Sequence, residues 1–89
     1  MKVFKFYTGG YIYSIYSKTE EQAAIFLQEE IGYFEIEKPT EEIPESEWDR
    51  KNIKIYEDTS KEPFYVSIRE EIIGNETQLV YTNDFSTFD

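Results

Sequence analysis

The sequence predicts an α+β domain in which a mainly antiparallel sheet carries one main helix on one face. Two alternating apolar runs flank a glycine pair within residues 2–17, and a helical apolar stripe with start and stop signals follows over about 19–31. The later alternating stretches are not regularly interleaved with helices, which favours antiparallel over parallel pairing. At 89 residues, we expect one domain, residues 1–89.

Residues 2–17 (KVFKFYTGGYIYSIYS) predict a β-hairpin that turns at Gly9-Gly10, because glycine accepts the positive φ of a two-residue turn. With Thr8 opposite Tyr11, one face is apolar and is the expected core face: Phe4, Phe6, Tyr13 and Ile15. We expect the other, mixed face to be half-exposed: Val3, Lys5, Tyr7, Ile12, Ser14 and Tyr16. A slip of one residue would exchange the two faces.

The main helix is predicted over about 19–31. Ser17–Glu20 has the pattern of a capping box, and Thr19–Gln22 offers the same device in a second register. Gly32 is the expected stop. One apolar stripe is expected to face the sheet: Ala23, Ala24, Phe26, Leu27 and Ile31.

The segment after the helix is acidic and contains two prolines. Residues 33–37 alternate and predict a short strand, and EKPTEEIPESEWD then predicts a loop interrupted by Pro39 and Pro44. Residues 46–49 are expected to form one helical turn. Two apolar side chains are expected to hold the loop against the core: Ile43 and Trp48.

The C-terminal third predicts a strand at 52–57, a turn at 58–63 and a strand at 78–82, followed by a polar tail with two phenylalanines. Residues 64–73 allow two interpretations. Helix start and stop signals favour a strand followed by a short helix over 68–73, closed by Gly74-Asn75. The alternative is a strand that continues through Ile72 and turns at the same pair.

The chain contains neither cysteine nor histidine. It therefore has no disulfide, no thiolate nucleophile, and neither the commonest general base nor the commonest transition-metal ligand. No run approaches the roughly 18 apolar residues of a membrane span, and no signal peptide is recognisable. We therefore expect a cytoplasmic protein that does not bind membranes.

Negative charge is the dominant feature of the composition. The net charge is −10, although residues 1–18 contain only basic charges. From Glu29 to Asp49 there are nine acidic side chains and one basic side chain, Lys38, which gives a net charge of −8. Such a field repels nucleic acids and anionic membranes and favours basic partners. Aromatic residues make up 18% of the chain, which indicates a folded domain rather than a disordered one.

Catalytic and cofactor motifs are weak. Adjacent glutamates such as Glu29-Glu30 occur by chance in an acid-rich surface, and residues 41–49 lack the central glycine of a calcium loop. Gly9-Gly10 has no P-loop context. Hairpin aromatics beside Lys2 and Lys5 resemble a base-stacking platform, but three lysines in an acidic chain supply little attraction for phosphate. We expect no enzymatic activity, no cofactor, no metal and no direct nucleic-acid binding.

The acidic stretch is the candidate partner-binding surface. An ordered row of carboxylates reproduces the charge spacing of nucleic-acid phosphates and pairs with arginine and lysine. The predicted contacts are Glu35, Glu37, Glu41, Glu42, Glu45, Glu47, Trp48 and Asp49. Charge runs often serve only solubility. In that case a structural or assembly role through the mixed hairpin face is the alternative, with Tyr7, Ile12 and Tyr16 as its contacts. The sequence leaves the oligomeric state open.

Four stretches resemble small acidic proteins encoded by bacteriophages and bacterial mobile elements: KVFKFYTGGYIYSIYS, TEEQAAIFLQEEIGY, EEIPESEW and SIREEI. The chain is also similar in kind to anti-CRISPR proteins and other DNA-mimic inhibitors, which are short, acidic and rich in aromatics. This resemblance implies that the protein inhibits a nucleic-acid enzyme of a bacterial host by occupying its basic site.

Overall fold

In the computed structural model, which describes residues 1–55 and 62–84, a four-stranded sheet and a two-stranded sheet are joined by short helical elements. All strand pairs are antiparallel, so the predicted α+β class is confirmed. The elements are β1 (Lys2–Thr8), β2 (Tyr11–Ser17), α1 (Glu20–Ile31), β3 (Lys38–Ile43), a 3₁₀ turn (Glu45–Glu47), β4 (Ile53–Ile55), β5 (Phe64–Val66), α2 (Ile68–Glu71) and β6 (Gln78–Asp84). The sheet orders are β3-β1-β2-β6 and β4-β5.

The hairpin of β1 and β2 has the predicted register. Thr8 lies opposite Tyr11 and Phe6 lies opposite Tyr13. The turn glycines have φ angles of 61° (Gly9) and 78° (Gly10), values that favour glycine and match the twist of a two-residue hairpin turn. The turn residues therefore fix which side chains share a face.

The helix α1 is confirmed, with its cap in the second of the two predicted registers. The hydroxyl of Thr19 accepts a hydrogen bond from the backbone N–H of Gln22 at 3.1 Å. Ser17 belongs instead to β2, where its buried hydroxyl lies 3.3 Å from that of Thr77. At the other end Gly32 has φ 82° and donates its N–H to the Gln28 carbonyl, which closes the helix as predicted.

The helix covers the predicted core face of the hairpin. Ala23 and Leu27 are the buried helix residues, and Ala24 and Phe26 pack at the margin, whereas the predicted stripe member Ile31 is exposed. The resulting helix-side core comprises Phe4, Phe6, Ile15, Ala23 and Leu27.

The opposite face of the hairpin is also buried, so the prediction that this face is half-exposed is wrong for most of it. Tyr7, Ile12 and Tyr16 are buried there, together with Val3 and Ser14. The 3₁₀ turn, the β4–β5 sheet and α2 lie over this face as a cover layer. The resulting far-side core comprises Val3, Tyr16, Ile43, Trp48, Ile53, Val66, Ile68 and Val80.

Two predictions for the acidic segment are corrected. Residues 33–37 do not form a strand, and the first half of the predicted loop is the edge strand β3, next to β1. Pro39 is compatible with β3 because one side of an edge strand needs no N–H donor. Ile43 and Trp48 are buried as expected, and the 3₁₀ turn supplies the helical turn predicted near 46–49.

In the C-terminal third, the predicted order of strand and then short helix is confirmed. The Ser67 hydroxyl caps α2 by accepting from the N–H of Glu70, and the helix ends at Glu71 rather than at residue 73. Strand β6 extends two residues beyond the predicted 78–82. Most of the turn predicted at 58–63 and both tail phenylalanines lie outside the described residues.

Candidate functional site

The seven predicted carboxylates are all exposed, and they lie on the edge strand β3, on the segment before it and on the turn after it. We call this set the acidic edge: Glu35, Glu37, Glu41, Glu42, Glu45, Glu47 and Asp49. Its first two members precede β3, the next two lie on β3, and the last three lie in or beside the 3₁₀ turn. Glu42 pairs with Phe4 on the helix side and Glu41 pairs with Lys5 on the far side, so the carboxylates flank the edge on both faces.

The upper end of the acidic edge, Glu35 and Glu37, lies beside the hairpin turn and accepts hydrogen bonds from neutral donors. One carboxylate oxygen of Glu37 accepts from the backbone N–H of Gly10 at 3.2 Å, and the Glu37 N–H donates to the Tyr7 carbonyl at 2.8 Å. One oxygen of Glu35 accepts from the Tyr33 hydroxyl at 3.4 Å. The backbone hydrogen bond positions Glu37, and neither donor carries a charge that would neutralise the carboxylates.

At the lower end of the acidic edge, from Glu42 to Asp49, basic side chains of the same chain partly neutralise the negative charge. Arg69 contacts Asp49 at 2.7 Å and Glu45 at 3.6 Å, and the hydrogen bond with Asp49 raises the pKa of its guanidinium. Two further ion pairs join Lys2 to Glu42 at 3.2 Å and Arg50 to Glu47 at 3.9 Å. Since these side chains are largely exposed, each pair adds little to stability. A partner's cations can therefore compete for these carboxylates.

Trp48 lies in the far-side core, with only 6% of its surface exposed. Its Nε1–H donates to the Ile43 carbonyl at 3.0 Å, and its ring meets Tyr16 edge-on at a centroid distance of 6.0 Å. The Arg69 guanidinium lies 5.4 Å from the ring centroid. The prediction that the ring contacts a partner is therefore wrong. The ring instead anchors the 3₁₀ turn that carries Glu45 and Glu47.

The alternative interface is not exposed either. Tyr7, Ile12 and Tyr16 are all buried. Their apolar character is used within the domain, so they do not form an accessible patch on the folded chain.

Tyr7 provides a pH-dependent test of this burial. Burial, together with the charge and the hydrogen bond of Glu41, raises the pKa of Tyr7 above its ordinary value of 10.0. The resulting stabilisation is complete below the unfolded pKa and is lost as the pH rises toward the folded pKa, because the unfolded chain releases its proton first. We expect Tyr7→Phe to flatten the alkaline decline of the unfolding free energy, measured by urea denaturation between about pH 9 and 11. The control Tyr11→Phe keeps Tyr7, and an unchanged slope in Tyr7→Phe would contradict the assignment.

A groove at the hairpin end was not predicted from the sequence. It has a volume of about 500 Å³ and lies between the hairpin turn, the end of α1 and the segment that leads to β3. We call it the turn groove, and its walls are formed chiefly by Tyr11, Tyr13, Ile31, Tyr33, Glu35 and Glu37. Tyr33 is 83% exposed and Tyr11 is 45% exposed. Exposed tyrosines that flank a glycine turn and a helix stop are the only signal in the sequence.

Across residues 1–55 and 62–84, no group of three or more acidic side chains is arranged to hold a metal ion. The helices in the same part of the chain are too short and too polar to cross a membrane. Comparison with known proteins found no matching family model, no matching curated protein and no matching solved structure.

Proposed function

We propose that this chain is a non-enzymatic inhibitor or adaptor, encoded by a bacteriophage or mobile element, that acts in the cytoplasm of a bacterial host. Its acidic edge occupies a basic site on a nucleic-acid-handling protein, in the manner of an anti-CRISPR protein or a DNA mimic. One observation carries the proposal: residues 33–49 hold seven acidic side chains and one basic side chain, a net charge of −6, and the edge strand and turn of this segment leave all seven carboxylates exposed.

The fixed positions of the carboxylates favour recognition by a rigid basic surface. Strand β3 and the anchored Trp48 hold the backbone, and a hydrogen bond from the Gly10 N–H orients the side chain of Glu37. Less conformational entropy is then lost on binding than with a mobile acidic tail. Charge-assisted bonds from arginine and lysine supply specificity, and long-range attraction accelerates association.

The alternative assembly role is less well supported, because the three residues expected to form its interface, Tyr7, Ile12 and Tyr16, are buried. Recognition by the acidic edge and a role of the charge in solubility alone predict different effects of charge removal. Separating them requires two variants that change net charge equally, one on the acidic edge and one elsewhere.

The test therefore compares two quadruple variants. The first replaces Glu41, Glu42, Glu45 and Glu47 by glutamine, and the second replaces four exposed glutamates of α1: Glu20, Glu21, Glu29 and Glu30. Immobilised wild-type chain captures basic proteins from a bacterial lysate, and each captured protein is purified and titrated against all three chains at several salt concentrations. We expect the edge variant to bind at least about tenfold more weakly with a shallower salt dependence, and the α1 variant to stay within about threefold.

A competition experiment completes the test. Double-stranded DNA is expected to displace the wild-type chain from its partner, since both occupy the same basic site. Equal weakening of both variants would indicate attraction by net charge alone. That result, or an affinity that the edge variant leaves unchanged, would contradict the proposal.

A further inference from the structure

We propose that the turn groove receives the guanidinium group of an arginine side chain from a protein partner. The inference rests on the proposed function in one respect, that the partner is a basic protein. It adds a defined binding pocket at the upper end of the acidic edge.

The shape of the turn groove suits a side chain of a partner. Its volume of about 500 Å³ lies within the range of about 300–1,000 Å³ that is typical of small-ligand pockets. Its walls come from three separate parts of the chain, and two of them present tyrosine rings. Tyr11 and Tyr13 stand with centroids 6.3 Å apart and planes tilted by 52°. A flat cationic group can stack against such rings and bury part of their exposed surface.

The charge of the turn groove selects a cation. Glu35 and Glu37 lie in its wall, and the faces of the tyrosine rings are also electronegative. A neutral apolar ligand would displace water from the two carboxylates and would not replace the hydrogen bonds that this water makes. Such desolvation of charged groups costs binding free energy. A phosphate or a nucleic-acid strand would be repelled. Cations of a basic protein are the complementary group.

Arginine fits this combination better than lysine does. The guanidinium is planar, stacks on aromatic rings and donates two parallel hydrogen bonds to a carboxylate, whereas the lysine ammonium is a strongly hydrated point charge. Glu37 uses one oxygen to bind the Gly10 N–H. A carboxylate has about four acceptor positions, so this hydrogen bond leaves capacity for a guanidinium.

The turn groove is organised before a ligand arrives. The Gly10 N–H positions Glu37. Phe34, between the two acidic wall positions and the helix stop, packs edge-on against Phe6 with centroids 6.3 Å apart. The wall is therefore anchored in the helix-side core, and little rearrangement is needed to bind a side chain.

The experiment is a titration of the full chain with N-acetyl-arginine amide, followed by NMR of backbone amides and tyrosine rings. N-acetyl-citrulline amide is the control ligand, because it has nearly the same shape without the charge. We expect arginine amide to shift resonances of Gly10, Tyr11 and Tyr33, and citrulline amide to leave them unchanged. Each of Tyr11→Ala and Tyr33→Ala is expected to raise the dissociation constant about two- to fivefold.

Two control variants show whether these losses belong to the turn groove. Tyr65→Ala removes an exposed ring from β5, and Glu29→Gln removes an exposed charge from α1. Both are expected to leave the dissociation constant within about 1.5-fold of wild type. Equal shifts with citrulline amide, equal losses in the controls, or shifts spread over all exposed carboxylates would overturn the inference.

The outcomes also separate this inference from the proposed function. If arginine amide binds the turn groove but the glutamine variant of the acidic edge keeps full affinity for every captured protein, the groove is supported and the proposed function fails. If the edge variant loses partner affinity and arginine amide binds no defined place, the proposed function stands and the groove inference is overturned.

Discussion

Replacing Trp48 by alanine is expected to lower the free energy of unfolding by about 3–5 kcal/mol. The indole is buried in the far-side core, packs against Tyr16 and donates to the Ile43 carbonyl at 3.0 Å. The backbone carbonyl of Trp48 also accepts from the N–H of Arg69 at 3.0 Å, which joins the 3₁₀ turn to α2. Native proteins have only about 5–15 kcal/mol in total, so this loss is a large fraction of the stability of the domain.

Urea denaturation followed by far-ultraviolet circular dichroism measures this loss, because Trp48 is the sole tryptophan and its fluorescence disappears with the mutation. Ile73→Ala is the control, since that side chain is 81% exposed, and we expect a change within about 0.5 kcal/mol. A loss below about 1 kcal/mol for Trp48→Ala would show that the cover layer is not held by this side chain.

Phe6→Ala is expected to cost a similar amount, about 3–5 kcal/mol, on the opposite side of the sheet. Phe6 is 2% exposed, lies in the helix-side core and supports Phe34 from the segment between α1 and β3. The variant leaves a cavity beneath α1 and removes the ring on which this segment rests. We therefore also expect the turn groove to lose its affinity for arginine amide.

Trp48 fluorescence and circular dichroism together report the effect of Phe6→Ala. Because the two cores share one sheet, both signals are expected to shift to the same lower urea midpoint. Ile25→Ala on the exposed side of α1 serves as the control. Separate midpoints for the two signals would show that the helix-side and far-side cores unfold independently.

The elements that the sequence predicts correctly are those set by local signals. The hairpin register follows from alternation around Gly9-Gly10, and α1 follows from its cap, its apolar stripe and Gly32. The exposure of the seven carboxylates was also predictable, because charged side chains remain hydrated wherever the backbone permits. These features depend on interactions between residues that are close in sequence.

The features that the sequence does not predict depend on distant segments. Val3 and Tyr16 are buried in the far-side core, which β4, β5 and α2 help to form, and these elements are only three or four residues long. Their position over the hairpin has no local signature. The same limit applies to the turn groove, whose walls come from three segments.

Strand β6 has a consequence for the order in which the chain folds. It pairs with β2, and the neighbouring hydroxyls of Ser17 and Thr77 are 60 positions apart. A hairpin forms within about 1–10 μs, whereas pairing across so long a separation is slow. At a synthesis rate of about 5–20 residues per second, β6 leaves the ribosome roughly 3–12 s after β2. During that interval the outer edge of β2 is open to pairing with other nascent chains.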